Sequence, residues 1–278
     1  MTPDEVLVTE SCLLIQSPVK PVYTIVRHWY VPLRMEVGTM KIAIISDIHA
    51  NFAALEAFPE QDCDRILCLG DLVDYGPSPK EVIRWVREHG VVCVRGNHDQ
   101  AAGYQTDPHC SAPFQRLAAT TLRYTLDLLS PAESKYLQQL PVQGELTIER
   151  TRFYLVHATP TDPLYGYCAA SSERWVKELE WVDVDVVLTG HTHVPFVRQI
   201  GTKTLVNPGS LGQPKTGTPE ACYAIWEDGT VTLKRYSYPV EFTASAIQAM
   251  PVSTDIQESL IYLLRTGAVT PQPRPHGC

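Results

Sequence analysis

Five short clusters in this 278-residue chain carry side chains able to hold a metal ion or move a proton. They are Asp47-Ile48-His49, Gly70-Asp71 with Asp74, Gly96-Asn97-His98-Asp99, His157, and Gly190-His191-Thr192-His193. Five of the nine histidines lie in them; His28, His89, His109 and His276 fit no pattern and read as surface or packing residues. The donors are carboxylate, amide and imidazole, without sulfur. That set suits Mn²⁺, Fe²⁺, Co²⁺ or Zn²⁺ rather than Cu(I) or an iron–sulfur cluster. Asp47, His49, Asp71, Asn97, His157, His191 and His193 are too many ligands for one ion. They fit two ions that share a carboxylate, at the roughly 3.5–4 Å separation of two-metal hydrolases. Side chains at i and i+2 of extended backbone face the same way. Asp47 and His49 are therefore expected to grip one ion together, and His191 and His193 one each. Any single cluster arises often by chance; the ordered set carries the signal.

Each cluster follows a segment that reads as a strand. KIAIIS, RILCLG, VVCVRG, TRFYLVH and DVVLTG are short apolar runs, and ANFAALEAF, SPKEVIRWVREHG and SSERWVKELE read as helices between them. Ser78, Pro79 and Glu81 form a start signal with a capping box, and Gly90 ends that helix. Residues 112–140 read as an α-helical insertion of two helices, with Ser130, Pro131 and Glu133 repeating the start signal. The alternation predicts a layered, mostly parallel α/β sheet. Ligands bind such sheets at the carboxyl ends of the strands, so the five clusters should converge on one rim. VPFVRQI, KTLVNPG, ACYAIWEDG and TVTLKRYSY form a β-rich return, with a hairpin turn at Asp228-Gly229. The expected division is an N-terminal extension over 1–39, one domain over 40–240, and a C-terminal helical segment over 241–278 ending in a mobile Pro-rich tail. The extension lacks the basic start of a signal peptide, and the functional domain is expected to begin near Met40.

Hydrophobic residues make up 44% and charged residues 19%, which excludes a disordered chain. The balance of 23 Lys+Arg against 31 Asp+Glu gives a net charge of −8, a poor basis for binding duplex nucleic acid. No apolar run approaches the roughly 18 residues that span a bilayer, so no membrane partner is expected. The eight cysteines include no C-x-x-C pair, and they read as reduced thiols of a cytoplasmic protein.

D-x-H, G-D-x-x-D, G-N-H-D, H and G-H-x-H, in this order, resemble the calcineurin-like metallophosphoesterase superfamily over roughly Met40 to Tyr238. GDLVDYGPSPKEV and NPGSLGQPK most resemble its small bacterial YfcE-like members. The resemblance implies a four-layer α/β/β/α sandwich with two mixed β-sheets. It also implies a ligand scheme: Asp47, His49 and His193 on a first metal, Asn97, His157 and His191 on a second, and Asp71 bridging both. His98 would stand over the substrate phosphate, hydrogen-bonded by Asp74. The implied enzyme is a dinuclear metal-dependent phosphoesterase. It would hydrolyse small-molecule or nucleotide-type phosphomonoesters or phosphodiesters by in-line attack of a metal-bridging hydroxide. Mn²⁺ is the expected ion, with Fe, Zn or Co as alternatives.

Two divalent ions against Asp47, Asp71 and one hydroxide leave a formal charge of about +1, enough to attract a phosphate without trapping it. Asn97, Arg95 and Tyr75 are candidate substrate contacts. The bland reading of Arg95 is a strand-end arginine paired to an acid. Tyr75 stands where eukaryotic-type protein Ser/Thr phosphatases carry a phosphate-clamping arginine, which argues against that activity. Asn51 and Asp99 read as caps, and the Asn207–Lys215 loop as support for G-H-T-H. The alternatives are a protein Ser/Thr phosphatase, a dinucleoside polyphosphate hydrolase or, in another class, a non-catalytic metal-binding scaffold of the same fold. The completeness of the set, His98 included, favours an enzyme.

Overall fold

A computed structural model describes residues 7–15, 22–30, 40–60 and 62–268. Strands buried on two faces must be apolar on both. The first three such runs form β3 (Lys41–Ile45), β4 (Arg65–Cys68) and β5 (Val92–Cys93), paired in parallel. β11 (Ala221–Glu227) and β12 (Thr230–Tyr236) extend this sheet antiparallel, in the order β12-β11-β3-β4-β5. Between them Asp228 and Gly229 take φ of 49° and 75°, the left-handed pair that a tight hairpin needs.

The second sheet has the order β1-β2-β6-β7-β8-β10-β9. Its strands are β1 (Leu7–Ile15), β2 (Val22–Tyr30), β6 (Gln143–Ile148), β7 (Thr151–Val156), β8 (Val186–Leu188), β9 (Phe196–Ile200) and β10 (Lys203–Asn207). The β1–β2 hairpin runs alongside β6, so the N-terminal segment contributes strands where the sequence pattern suggested none.

The period-two alternation of the strands sorts their residues into layers. Ile42, Ile44, Leu67 and Leu69 of the five-stranded sheet meet Leu146, Phe153, Leu155, Val186 and Leu188 of the other in one apolar layer. Each such fully buried side chain contributes roughly 1.5–3 kcal/mol. On the outer face of the five-stranded sheet, Ala43, Ile45 and Cys68 pack with α1 (Phe52–Glu56), α2 (Pro79–Glu88) and α5 (Pro131–Gln139). On the outer face of the other, Tyr154, Val156 and Val187 pack against Trp175 of α6 (Arg174–Glu178). The result is the four-layer α/β/β/α sandwich.

Two elements besides β1 and β2 escaped the sequence pattern. One is β6. The other is α3 (Asn97–Tyr104), which starts on a site residue and has no apolar period; Asp99 at its third position accepts the Gly96 amide instead. Ser130 and Glu133 form the reciprocal capping box expected of them. Ser78 caps α2 by position alone, its side chain making no cap hydrogen bond. The insertion's longer helix, α4 (Ala112–Leu128), shares an apolar cluster with α7 (Val240–Gln248) and α8 (Thr254–Thr266) through Leu117, Ala118, Ala244, Ile247, Leu260 and Leu264. The Pro-rich tail lies outside the described residues. Among the described residues no helix is long and apolar enough to cross a membrane.

Candidate metal centre

The floor of the site is built where the strands stop. The loops after β3 and β4 are joined by Asp47 N donating to Gly70 O (3.0 Å) and His49 N to Asp71 O (2.9 Å). The loop after β5 lies so close beneath that a Cβ on Gly96 would overlap the Asp71 amide and carboxylate. Asp47, His49, Asp71, Asp74, Tyr75, His191 and His193 all have φ between 47° and 72°. Left-handed backbone costs a non-glycine residue roughly 1–2 kcal/mol. This corrects the expectation of extended geometry: the i, i+2 pairs converge because the loops curl, not because the strands continue.

The hydrogen bonds fix which ring atoms face inward. His49 Nδ1 lies 3.3 Å from Val73 O, His193 Nδ1 2.6 Å from Gln213 O, and His157 Nδ1 2.7 Å from Leu69 O. A carbonyl only accepts, so each Nδ1 carries the hydrogen and each neutral ring points a bare Nε2 lone pair into the site. The Nε2 atoms of His49 and His193 stand 3.1 Å apart. His193 Nε2 is also 3.2 Å from Asp47 Oδ1, a buried oxygen with no hydrogen-bond partner. On the other side, His157 Nε2 lies 3.0 Å from Asn97 Oδ1, 3.2 Å from His191 Nδ1 and 3.2 Å from Asp71 Oδ2. Asn97 turns its oxygen inward because its Nδ2 donates to Pro108 O at 2.7 Å.

Lone pairs aimed at one another repel unless a cation stands between them. The donor set therefore fits divalent metal. Ligand atoms of Asp47, His49 and His193 form one group, and those of Asp71, His157 and His191 another, each within 4.8 Å of one another. Asp71 Oδ2 faces both groups, 3.7 Å from His49 Nε2. Without a cation, protons compete for the same place. Burial opposes protonation of His157, but Asp71 and Asp47 overcome it and lift that ring to about 9. Burial and the His157 charge press His191 down to about 3.

His98 stands at the edge of this floor. Its Nδ1 donates to Asp74 Oδ2 at 2.7 Å. Burial opposes its charge, but Asp71 and Asp74 hold the imidazolium well above the usual histidine range. The other oxygen of Asp74 accepts from Thr121 Oγ1 of α4 (2.6 Å) and from the Tyr75 amide (2.7 Å). Asp74 thus both caps its own loop and orients His98. Asp99 accepts from the amides of Asp71, Leu72 and Gly96. Asn51 caps α1 and donates to Gly212 O.

Tyr75 is 3% exposed, with its ring 4.7 Å from His98 and 4.9 Å from His49, and its hydroxyl meets Cys110 Sγ at 3.4 Å. It walls the imidazoles and does not present its hydroxyl to the floor. Arg95 is engaged elsewhere: it donates to Gln138 O at 2.7 Å and to Tyr104 Oη at 3.3 Å, tying α3 to α5. Its partners are a carbonyl and a phenol, not the acid that its strand-end position suggested.

Thr121 and Cys110 (Sγ 3.4 Å from His98 Nε2) were missed in the sequence, where Lys215 reads only as part of the supporting loop. Thr121 alone left a signal there. It is a hydroxyl among Leu117, Ala118, Leu122 and Thr125 on the buried face of α4, where an apolar residue is the norm.

The pattern of the Calcineurin-like phosphoesterase superfamily domain matches residues 40–229. The chain belongs to that superfamily. It is 30% identical over 228 residues to the protein MJ0912 of Methanocaldococcus jannaschii, covering 72% of this chain and 88% of that one. It is 26% identical over 208 residues to the phosphodiesterase YfcE of Escherichia coli, covering 70% and 91%. The crystal structure of a metallophosphoesterase from Sphaerobacter thermophilus superimposes with a TM-score of 0.69 at 29% identity, over 83% of this chain and all of that one. The protein is a metallophosphoesterase, a hydrolase of phosphoric esters, and its His/Asp clusters have the donors to hold divalent metal.

Proposed function

We propose that the protein uses two divalent ions to hydrolyse small-molecule or nucleotide-type phosphomonoesters or phosphodiesters. The observation that carries this reading is the double cradle of lone pairs with Asp71 between its halves and His98, held by Asp74, at its edge. Asp47, His49 and His193 hold one ion, Asn97, His157 and His191 the other, and Asp71 both. Mn²⁺ is the favoured ion by donor type, with Fe, Zn and Co close behind. Bound ions of this kind lower the pKa of water towards about 7 and polarise phosphoryl oxygens.

The chain's own residues do the rest. His98 carries its proton on Nε2, the atom not committed to Asp74, and hands it to the departing alkoxide. Such general acid help is worth roughly 10²–10⁴-fold. Asp74 keeps the ring charged and aimed, and Thr121 keeps Asp74 in place. Tyr75 and the buried floor exclude water around both imidazoles. The acidic composition argues against duplex nucleic acid as substrate. Free thiols at Cys63, Cys68, Cys93, Cys110, Cys168 and Cys222 fit a reducing, cytoplasmic setting. We read 40–240 as the catalytic unit, with 1–39 as an N-terminal extension and 241–278 as a C-terminal helical segment with a Pro-rich tail.

The test is metal analysis together with hydrolysis of aryl phosphate mono- and diesters on one preparation, with Mn²⁺ and then with chelator. Close to two ions per chain and chelator-sensitive hydrolysis are expected. Two bound ions with no turnover of any ester would favour the scaffold.

A further inference from the structure

One cation near the floor has no role in the chemistry above. The loop after β10 carries Lys215, whose ammonium sits 4.3 Å from the centroid of the Phe114 ring on α4. It is half-buried, and burial pulls it down to about 8. Asp47 and Asp71 attract it through space, and its charge acts in turn on His191 and His193. Among the described residues no carboxylate comes within ion-pairing distance of it. A half-buried ammonium whose direct neighbour is an aromatic face rather than a carboxylate keeps its charge free for an incoming anion.

The loop fixes where that cation stands. Leu211 N donates to Ser46 O at 2.9 Å and Gly212 N to Asp47 O at 3.1 Å, pinning the loop to the metal floor. Gln213 O holds the His193 ring. Beyond Lys215, Gly217 N donates to Gly267 O at 3.0 Å, at the end of α8. Gly267, with φ of 63°, is packed so closely on Thr218 that a Cβ would overlap its backbone. Lys215 is therefore held between two anchors. Phe114, its platform, lies 6.4 Å from Tyr75, which in turn lies 4.7 Å from His98. Phe114 and Tyr75 thus form a run of rings between the ammonium and the His98 imidazole.

We propose that Lys215 is a substrate-binding residue whose ammonium pairs with a non-bridging oxygen of the substrate phosphate, with Phe114 as the positioning residue that holds it there. This rests on the phosphoesterase reading. The added positive charge matches a phosphate bearing two negative charges, so the substrate class it favours is the phosphomonoester or terminal phosphate over the diester.

The test uses the metal-loaded full chain with Lys215→Met, Lys215→Arg and Phe114→Leu. Two readouts are taken: steady-state kinetics on 4-nitrophenyl phosphate and bis(4-nitrophenyl) phosphate, and calorimetric affinity for inorganic phosphate. Loss of one charge-assisted hydrogen bond predicts that Lys215→Met raises KM for the monoester roughly 10- to 100-fold. The rise for the diester should be smaller, phosphate affinity should fall in parallel, and metal content should stay unchanged. Lys215→Arg should recover most of the loss, and Phe114→Leu should lie in between. Unchanged phosphate affinity and KM in a metal-replete Lys215→Met protein overturns the proposal, as does a loss that tracks metal content. Hydrolysis by the wild type with an indifferent Lys215→Met refutes the lysine and leaves the enzyme. Lysine-dependent phosphate binding without hydrolysis refutes the enzyme and leaves the lysine. Should the variants not fold, the wild type decides: phosphate must protect Lys215 from acetic anhydride, read by mass spectrometry, and absence of protection overturns the proposal.

Discussion

The floor and the wall of this site are built on different principles. The floor is curled loop at strand ends, with the carboxylates, Asn97 and all its imidazoles but the half-buried His191 almost fully buried, and their lone pairs turned on one another. The wall is ordinary amphipathic helix: α4 rests its apolar face on α7 and α8 and lends the site Thr121 from that buried face and Phe114 beside it. The floor gives up backbone and electrostatic stability to create a place for cations. The wall gives up almost nothing, and sets how the groups beside the cations are aimed.

That contrast is open to experiment, and the largest effect should come from its centre. Asp71→Ala should empty both halves of the cradle together and abolish hydrolysis, read by metal analysis. A stable variant holding one ion would mean that the halves are independent. His98→Ala tests the seam between floor and wall. It should lower kcat roughly 10²–10⁴-fold with both ions retained, and loss of metal would move His98 into the floor. Thr121→Val tests the wall alone. Removing a hydrogen bond to a charged group should lower kcat roughly tenfold and leave KM and metal content unchanged. An unchanged kcat would show that Asp74 is held by its own loop. The smallest effect belongs to Ser130→Ala, which breaks the capping box of α5. It should cost about 1 kcal/mol in denaturant unfolding and leave turnover untouched.

The floor was legible in the sequence because its chemistry tolerates few residue types and the fold presents them in a fixed order. Asp47 to His193 could be gathered from five short clusters before any coordinates. Their backbone could not be read, since nothing in D-x-H or G-H-T-H distinguishes an extended pair from a left-handed one. The wall was nearly illegible. Phe114 and Thr121 sit in a helix whose periodicity reads the same whether it faces a site or a core. Lys215 follows a loop that resembles plain support, and in part it is support: Gln213 O holds His193. The β5 strand shows the same limit. VVCVRG has six apolar or strand-end residues, but only Val92 and Cys93 pair as strand. The chain then turns away, with the Arg95 amide donating to Pro141 O at 2.7 Å.

The left-handed turns of the floor also bear on how its residues should be interrogated. Asparagine and aspartate enter that region of conformational space far more readily than alanine does. Alanine scanning at Asp47 or Asp71 therefore mixes two penalties, a missing ligand and a reluctant main chain. Asparagine at the same two positions keeps the shape and an amide oxygen and removes the charge, so the difference between the paired variants reports the curl together with that oxygen.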